Sequence, residues 1–161
     1  RSPGFWGTYW SGPTADAWVR TGFNPGPTNP LGDKKDYSIP SLADLDQAVT
    51  DGTITAVEKT AYVNAIQAAH TFDQLMGTGT TLPNNPSGLP ITRPTIMQVF
   101  HDNTFKQALP DNAAFHYAAS LLNAAAWGED YGYTLAEMRA LIQARDGTSG
   151  FVADLQGLYD R

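Results

Sequence analysis

The 161-residue sequence predicts a single all-α domain of about six helices, with an irregular N-terminal segment at 1–32 and a helical core at 33–161. A capping box with an acidic partner pairs Ser or Thr with Asp or Glu three positions later and marks the start of a helix. Three such patterns occur: Ser41 with Asp44, Thr55 with Glu58, and Thr134 with Glu137. No segment shows the sustained alternation typical of strands. One core of this length buries about two-thirds of the unfolded surface, so a second domain is not expected.

The strongest helical pattern lies between Asp111 and Ala144 and predicts two helices joined by a tight corner. The apolar stripe of the first helix recurs at i, i+3, i+7 and i+10, in Phe115, Ala118, Leu122 and Ala125. Asp111 or Asn112 is the expected N-cap, because either side chain can accept a first-turn amide. Gly128 is expected to end this helix, and the capping box at Thr134 begins the next.

The remaining helices are predicted from the same signals, in chain order. A short run covers Pro13 to Arg20, and a longer helix follows from Ser41 to Val49. The helix that begins at Thr55 is expected to continue to Met76. A long Gly/Pro/Thr/Asn-rich loop then precedes two further helices, one over Thr95 to His101 with Pro94 in its first turn, and a last one over about Ser149 to Tyr159.

Composition excludes some function classes and favours an extracellular location. The net charge of −6 argues against nucleic-acid binding and against electrostatic docking on an anionic membrane. No apolar run approaches the roughly 20 residues that span a bilayer. The chain has no cysteine and few lysines (Lys34, Lys35, Lys59 and Lys106). Since no signal peptide is present, we expect a mature or trimmed form of a secreted protein.

The N-terminal segment holds three of the four tryptophans and is too rich in proline and glycine for a long helix. Two interpretations stay open. In one, an ordered loop inserts its aromatic rings into the helical core. In the other, the rings form an exposed surface for a partner chain or a sugar. The candidate binding residues in this segment are Phe5, Trp6, Tyr9, Trp10 and Trp18.

The helix after Asp111 also carries a polar stripe, at i, i+4, i+8 and i+11: Asn112, His116, Ser120 and Asn123. Such a stripe is either a solvated face or a buried hydrogen-bonding seam that receives a neighbouring loop. His116 and Asn123 are therefore candidate partner-binding residues.

Motifs for catalysis and for cofactors are missing from the sequence. No nucleophile elbow and no glycine-rich phosphate loop is present. Asp51 to Glu58 matches the back half of a calcium-binding EF-hand loop, but Val49 would occupy a ligand position that it cannot fill. His70, His101 and His116 lie far apart. We therefore predict a protein that is not an enzyme and has no cofactor. Carboxylates that folding brings together for hydrolysis stay open as an alternative.

Several stretches of the sequence form a set: Ser2-Pro3-Gly4-Phe5-Trp6, Ala17-Trp18, Thr21 to Pro25, His116 to Ala124, and Tyr131 to Met138. This set resembles modules found in secreted and cell-surface bacterial proteins, which open with Ser/Thr-Pro-Gly-Phe/Tyr-Trp-Lys-Asn-His and a second Trp. Those modules close on a helix like Arg-His-Ala-Val-Ala-Ala-Leu-Leu-Asn-Ala and a Tyr-Pro-Leu-Thr-x-x-Glu-Val segment. Gly7-Thr8-Tyr9 replaces the Lys-Asn-His of those modules, and Arg1 stands where a cysteine often precedes. The resemblance implies an extracellular, non-catalytic module.

Three functions follow as hypotheses. The first is a structural module that self-associates or docks on another surface protein, as a subunit of a surface assembly or filament. The alternative is a carbohydrate-binding module that uses the N-terminal aromatic residues to bind polysaccharide. A hydrolase ranks third.

Overall fold

The computed structural model describes residues 1–8 and 12–159. Within these ranges all regular secondary-structure elements are helices, and loops connect them. The α-helices, in chain order, are α1 (Pro3–Trp6), α2 (Gly12–Thr21), α3 (Leu42–Thr50), α4 (Ala56–Gln67), α5 (Phe72–Met76), α6 (Ile96–His101), α7 (Asn103–Lys106), α8 (Ala113–Trp127), α9 (Leu135–Arg145) and α10 (Phe151–Tyr159). Short 3-10 turns cover Pro110–Asn112 and Gly128–Asp130. Six of the described helices have nine or more residues, so the all-α prediction of about six helices is confirmed.

Helix α8 is the centre of the main core. Its residues from Ala113 to Ala124 are buried except for Phe115, and it packs against α1, α2, α5, α6, α7, α9 and α10. A second, smaller cluster lies between α3, α4 and the loop that follows α5, around Leu45, Ile66 and Ile91. No helix in the described part of the chain is long and apolar enough to cross a membrane.

The three predicted capping residues, Ser41, Thr55 and Thr134, are the N-caps of α3, α4 and α9. The boxes at Thr55 and Thr134 are complete, with each side chain bonded to the other's backbone amide. At the second box, the backbone amide of Thr134 and then its hydroxyl hold the pKa of Glu137 below its usual value. Ser41 accepts a hydrogen bond from the amide of Asp44, which is one half of the expected pair.

The helix predicted from Thr55 to Met76 is two helices, and this boundary was wrong. Helix α4 ends at Gln67, and α5 begins after a capping box of Thr71 with Gln74. The break is stabilised from outside the helix: the Asn24 amide donates to His70 Nδ1 at 2.7 Å, and the His70 amide donates to the Asn24 carbonyl at 2.9 Å. These bonds hold the chain in a turn that the apolar stripe does not reveal.

Two helix starts differ in detail from the prediction. Pro94 precedes the N-cap Thr95 of α6, so it is not in the first turn. Asn112 occupies the N-cap position of α8, but its side chain makes no capping bond. Asp111 and Asn112 have φ of 61° and 54°, a left-handed conformation that asparagine and aspartate tolerate better than most residues.

Arg93 organises the long loop between α5 and α6. Its Nε donates to Asp73 Oδ2 at 2.8 Å. Its Nη1 donates to the Leu82 carbonyl at 2.7 Å and to Asn84 Oδ1 at 2.9 Å, and its Nη2 donates to the Thr80 carbonyl at 3.1 Å. One guanidinium thus joins the start, the middle and the end of the loop to α5.

Candidate functional site

The N-terminal segment inserts its first tryptophan into the core above α8. Trp6 is fully buried, and its indole Nε1 donates to Asn123 Oδ1 at 3.0 Å. Its ring makes an edge contact with Trp18 at 5.6 Å, and Trp18 Nε1 donates to the Trp6 carbonyl at 3.0 Å. Because Trp6 and Trp18 are 0% and 1% exposed, neither ring can stack on a ligand in this conformation. These two rings fill the core as the first interpretation expects, but they do so from the helices α1 and α2 and not from an irregular loop.

The other aromatic candidates of the segment differ from these two. Phe5 is half-buried and contacts the edge of Trp6, with one part of its ring still accessible. Tyr9 and Trp10 lie outside the described residues, so their predicted binding role stays a prediction.

Two residues of the polar stripe, His116 and Asn123, are buried and hydrogen-bond segments near the two ends of the described chain, whereas the buried Ser120 hydroxyl has no hydrogen-bond partner among the described residues. Asn123 is fully buried, accepts from Trp6, and donates from Nδ2 to the Arg1 carbonyl at 2.8 Å. About two helical turns before Asn123, His116 Nδ1 forms a hydrogen bond with the Tyr159 hydroxyl, and the two rings stack nearly parallel. His116 and Asn123 thus bind the chain's own first and last described segments.

A groove opens where these two segments meet the end of α8. We call it the terminal groove. Its larger part is a cavity of about 610 Å³ lined by Arg1, Ser2, Phe5, Trp127, Asp130, Tyr131 and Tyr159. A part of about 530 Å³ shares several of these residues and adds Glu129, Gly132 and Leu158. Both volumes fall within the range of roughly 300 to 1,000 Å³ that is typical of small-ligand sites.

The end of α8 positions one wall of the groove. Gly128 has a φ of 51°, which lets the chain leave the helix and form the 3-10 turn that carries Glu129 and Asp130 into solvent. Tyr131 follows and lines both parts of the cavity, while Tyr133 packs near it at 6.4 Å and lines neither.

The opposite wall comes from the N-terminal segment. The Arg1 guanidinium carbon lies 5.3 Å from the Phe5 ring centroid and 5.9 Å from that of Trp127, within the distance of a cation–π contact. Since Asn123 holds the Arg1 backbone, the buried seam fixes this wall relative to α8.

The groove combines chemical groups that suit an amphipathic ligand. Four aromatic side chains line the groove, two of them (Phe5 and Trp127) under the Arg1 guanidinium, and Leu158 is the one aliphatic side chain among the described lining residues. Glu129 and Asp130 are exposed acceptors at the rim. They are neighbours on a single turn, whereas glycoside hydrolases place their two carboxyl groups on either side of the scissile bond.

The other groups considered for metal binding or catalysis are engaged in local structure. Glu58 Oε1 accepts from the Thr55 amide at 3.0 Å, and Asp51 Oδ1 accepts from Gln47 at 2.8 Å. His101 Nε2 donates to the Gly7 carbonyl at 2.7 Å, which places a second bond on the N-terminal segment. Within residues 1–8 and 12–159, no group of three or more His, Cys, Asp or Glu is arranged to hold a metal ion.

No protein-family model, curated protein or solved structure matches this chain. The resemblance to secreted and cell-surface bacterial modules therefore stays a prediction.

Proposed function

We propose that this chain is a non-catalytic, extracellular carbohydrate-binding module whose ligand lies in the terminal groove. The observation that supports this proposal most strongly is the concentration of partly exposed aromatic rings at one concave site: Phe5, Trp127, Tyr131 and Tyr159. Concave sites with aromatic walls and a few polar groups are the usual ligand sites of proteins. The site differs from the one expected at Trp6 and Trp18, because those two rings fill the core.

The composition of the groove favours a sugar over an apolar ligand. A pyranose ring has one face of C–H groups that packs on an aromatic ring, and its edge carries hydroxyls that need hydrogen-bond partners. The electron-rich faces of aromatic rings attract such weakly positive hydrogens. Tyr131 and Tyr159 offer rings, and Asp130 offers acceptors beside them. The groove therefore offers polar and apolar groups side by side, with aromatic rings and not aliphatic side chains as its main apolar surface.

Two further features support a binding module in the extracellular space. Glu129 and Asp130 project from one side of the groove, so binding is favoured over the two-sided chemistry of glycoside hydrolysis. The scarcity of lysine and the motif resemblance support the location.

Replacing Tyr131 with alanine tests the proposed site. We expect affinity for a responding polysaccharide to fall about tenfold, because one stacking ring contributes roughly 1.4 kcal/mol. The measurement is a titration of intrinsic tryptophan fluorescence with a panel of soluble polysaccharides, since Trp127 lies in the groove wall. Calorimetry of the same pairs gives an independent dissociation constant.

Tyr133→Ala is the matched control. Tyr133 is the same residue type on the same loop, is also half-buried, and does not line the groove. It should leave affinity unchanged within about twofold, and circular dichroism should show both variants folded. Equal losses in the two variants, a Tyr131→Ala protein with full affinity, or silence across the panel would each count against the proposal. Release of reducing sugar would refute its non-catalytic part.

Self-association is a second candidate function, favoured by the way the N-terminal segment is held. This segment forms hydrogen bonds with residues more than 90 positions away in sequence, through Trp6, Arg1 and Gly7. A segment from a second copy can make the same bonds, which is the principle of domain swapping. Such exchange would build the surface assembly that the sequence predicts as the first hypothesis.

Light scattering over a range of protein concentrations tests this candidate. Exchange predicts a mass that rises with concentration, and a constant monomer mass would rule it out. Repeating the measurement in calcium and in EDTA also tests the calcium hypothesis at Asp51 and Glu58, since assemblies that require that site would dissociate in EDTA.

A further inference from the structure

The terminal groove is lined by more negatively charged than positively charged side chains among the described residues. Two carboxylates, Glu129 and Asp130, are exposed at the rim, and one described cation, Arg1, faces them from the other wall. The Arg1 guanidinium lies over the Phe5 and Trp127 rings, so it forms part of the aromatic wall. The described charged side chains of the groove, two carboxylates and one guanidinium, therefore sum to one negative charge. The net charge of the complete chain, which includes these three groups, is −6.

We infer that the terminal groove selects neutral polysaccharide chains and rejects polyuronates. This inference rests on the proposed function and names the class of carbohydrate. Its basis is the position of the two carboxylates beside the stacking rings, where they meet the substituents of any sugar that stacks on Tyr131 or Tyr159.

For a neutral sugar the carboxylates are favourable partners. Hydroxyl groups donate, carboxylates accept, and a hydrogen bond to a charged acceptor is stronger than one between neutral groups. Asp130 lines both parts of the groove, so it can accept from a sugar in either part. Glu129 extends the same acceptor edge along the second part.

For a uronic acid the same two groups are repulsive. Two like charges about 6 Å apart in a water-like medium weaken binding roughly threefold, so two carboxylates together weaken it about tenfold. Attraction to the Arg1 guanidinium on the other wall offsets one of these pairs, which leaves a net penalty of about threefold. Salt reduces this penalty, because screening at high ionic strength shortens the reach of exposed charges. Discrimination thus comes from unfavourable contacts with the wrong ligand as much as from favourable contacts with the right one.

The test compares dissociation constants of the full chain for two sets of soluble polymers. The neutral set is a β-glucan, a mannan and a xylan, and the anionic set is alginate and polygalacturonate. We expect a neutral polymer to bind at least about threefold more tightly than either polyuronate at low salt, with a smaller difference at high salt.

Asp130→Asn and Asp16→Asn form a matched pair of variants. Both remove one negative charge from an exposed aspartate, but Asp16 lies on α2 and does not line the groove. Asp130→Asn should reduce the preference for neutral polymers about threefold, and Asp16→Asn should leave it unchanged. Circular dichroism confirms that both variants keep their helicity.

The outcomes separate the inference from the proposed function. Failure of every polymer to bind would overturn the proposed function. Binding of polyuronates as tightly as neutral polymers at low salt would overturn the inference alone. An equal effect of the two variants would also overturn it, because net charge and not the groove would then control the preference.

Discussion

Replacing Trp6 with alanine is expected to lower the free energy of unfolding by about 4 kcal/mol or more. Truncation of a fully buried aromatic side chain costs about 3 to 5 kcal/mol, through lost burial and the cavity left behind. Trp6 is 0% exposed and contacts the rings of Trp18 and Trp127. Since whole domains are stable by only about 5 to 15 kcal/mol, this single change removes a large part of the total. Urea denaturation followed by far-UV circular dichroism measures the loss.

A second contribution comes from the partner of the indole. Without the Trp6 donor, Asn123 Oδ1 is left buried and unsatisfied, which costs about 1 to 3 kcal/mol. Combining Trp6→Phe with Asn123→Ala in a double-mutant cycle isolates this hydrogen bond from the loss of volume. Val19→Ala is the control, because Val19 is 79% exposed on α2 and should change stability by less than about 0.5 kcal/mol. A loss below about 1 kcal/mol for Trp6→Ala would contradict the burial of Trp6 in the core.

A Trp6→Ala variant cannot separate self-association from folding. If the tryptophan were an exposed contact, its removal would abolish assembly and spare the fold. Because it fills the core, loss of assembly in Trp6→Ala would also follow from unfolding. Concentration dependence of the unaltered chain is therefore the cleaner test of self-association.

The helices were predictable because their signals are local. Thr55 with Glu58 and Thr134 with Glu137 act over three residues, and both form the expected bonds. The break between α4 and α5 carries a local signal of the same kind, the capping box of Thr71 with Gln74, but the apolar stripe that runs through it outweighed that signal in the prediction. Phe72 continues the apolar stripe past the break, and the bonds that hold the break involve Asn24, more than 40 residues earlier.

The terminal groove lay beyond sequence reasoning for a similar reason. Its walls come from three separated segments, around Phe5, around Asp130 and around Tyr159, and no periodicity connects them. The polar stripe on α8 came closest, since a buried seam was one of its two interpretations and Asn123 proves to be the residue that holds the Arg1 backbone. A usable local signal was the run from Trp127 to Tyr133, which mixes aromatic, acidic and glycine residues.

Arg93→Ala should have the second largest effect, a loss of about 2 to 3 kcal/mol in the free energy of unfolding. The guanidinium forms an ion pair with Asp73 and also bonds the backbone of Thr80 and Leu82, and both side chains of the ion pair are mostly shielded from water. Hydrogen bonds to charged groups contribute about 1.5 to 3 kcal/mol, and removing the donor leaves partly buried carbonyls without it. Arg93→Lys should recover only part of the loss, because one ammonium cannot donate in all these directions.

Lys59→Ala supplies the contrast for this prediction. The Lys59–Asp46 pair joins α4 to α3 at the surface, where an ion pair contributes at most about 1 kcal/mol. Hydrogen exchange adds a local measurement, since Arg93→Ala should speed exchange in the loop between α5 and α6 and leave α8 protected. If both variants lost equally little stability, the loop would be held by its buried side chains Leu82, Leu89 and Ile91, and the guanidinium would be a surface ion pair like that of Lys59.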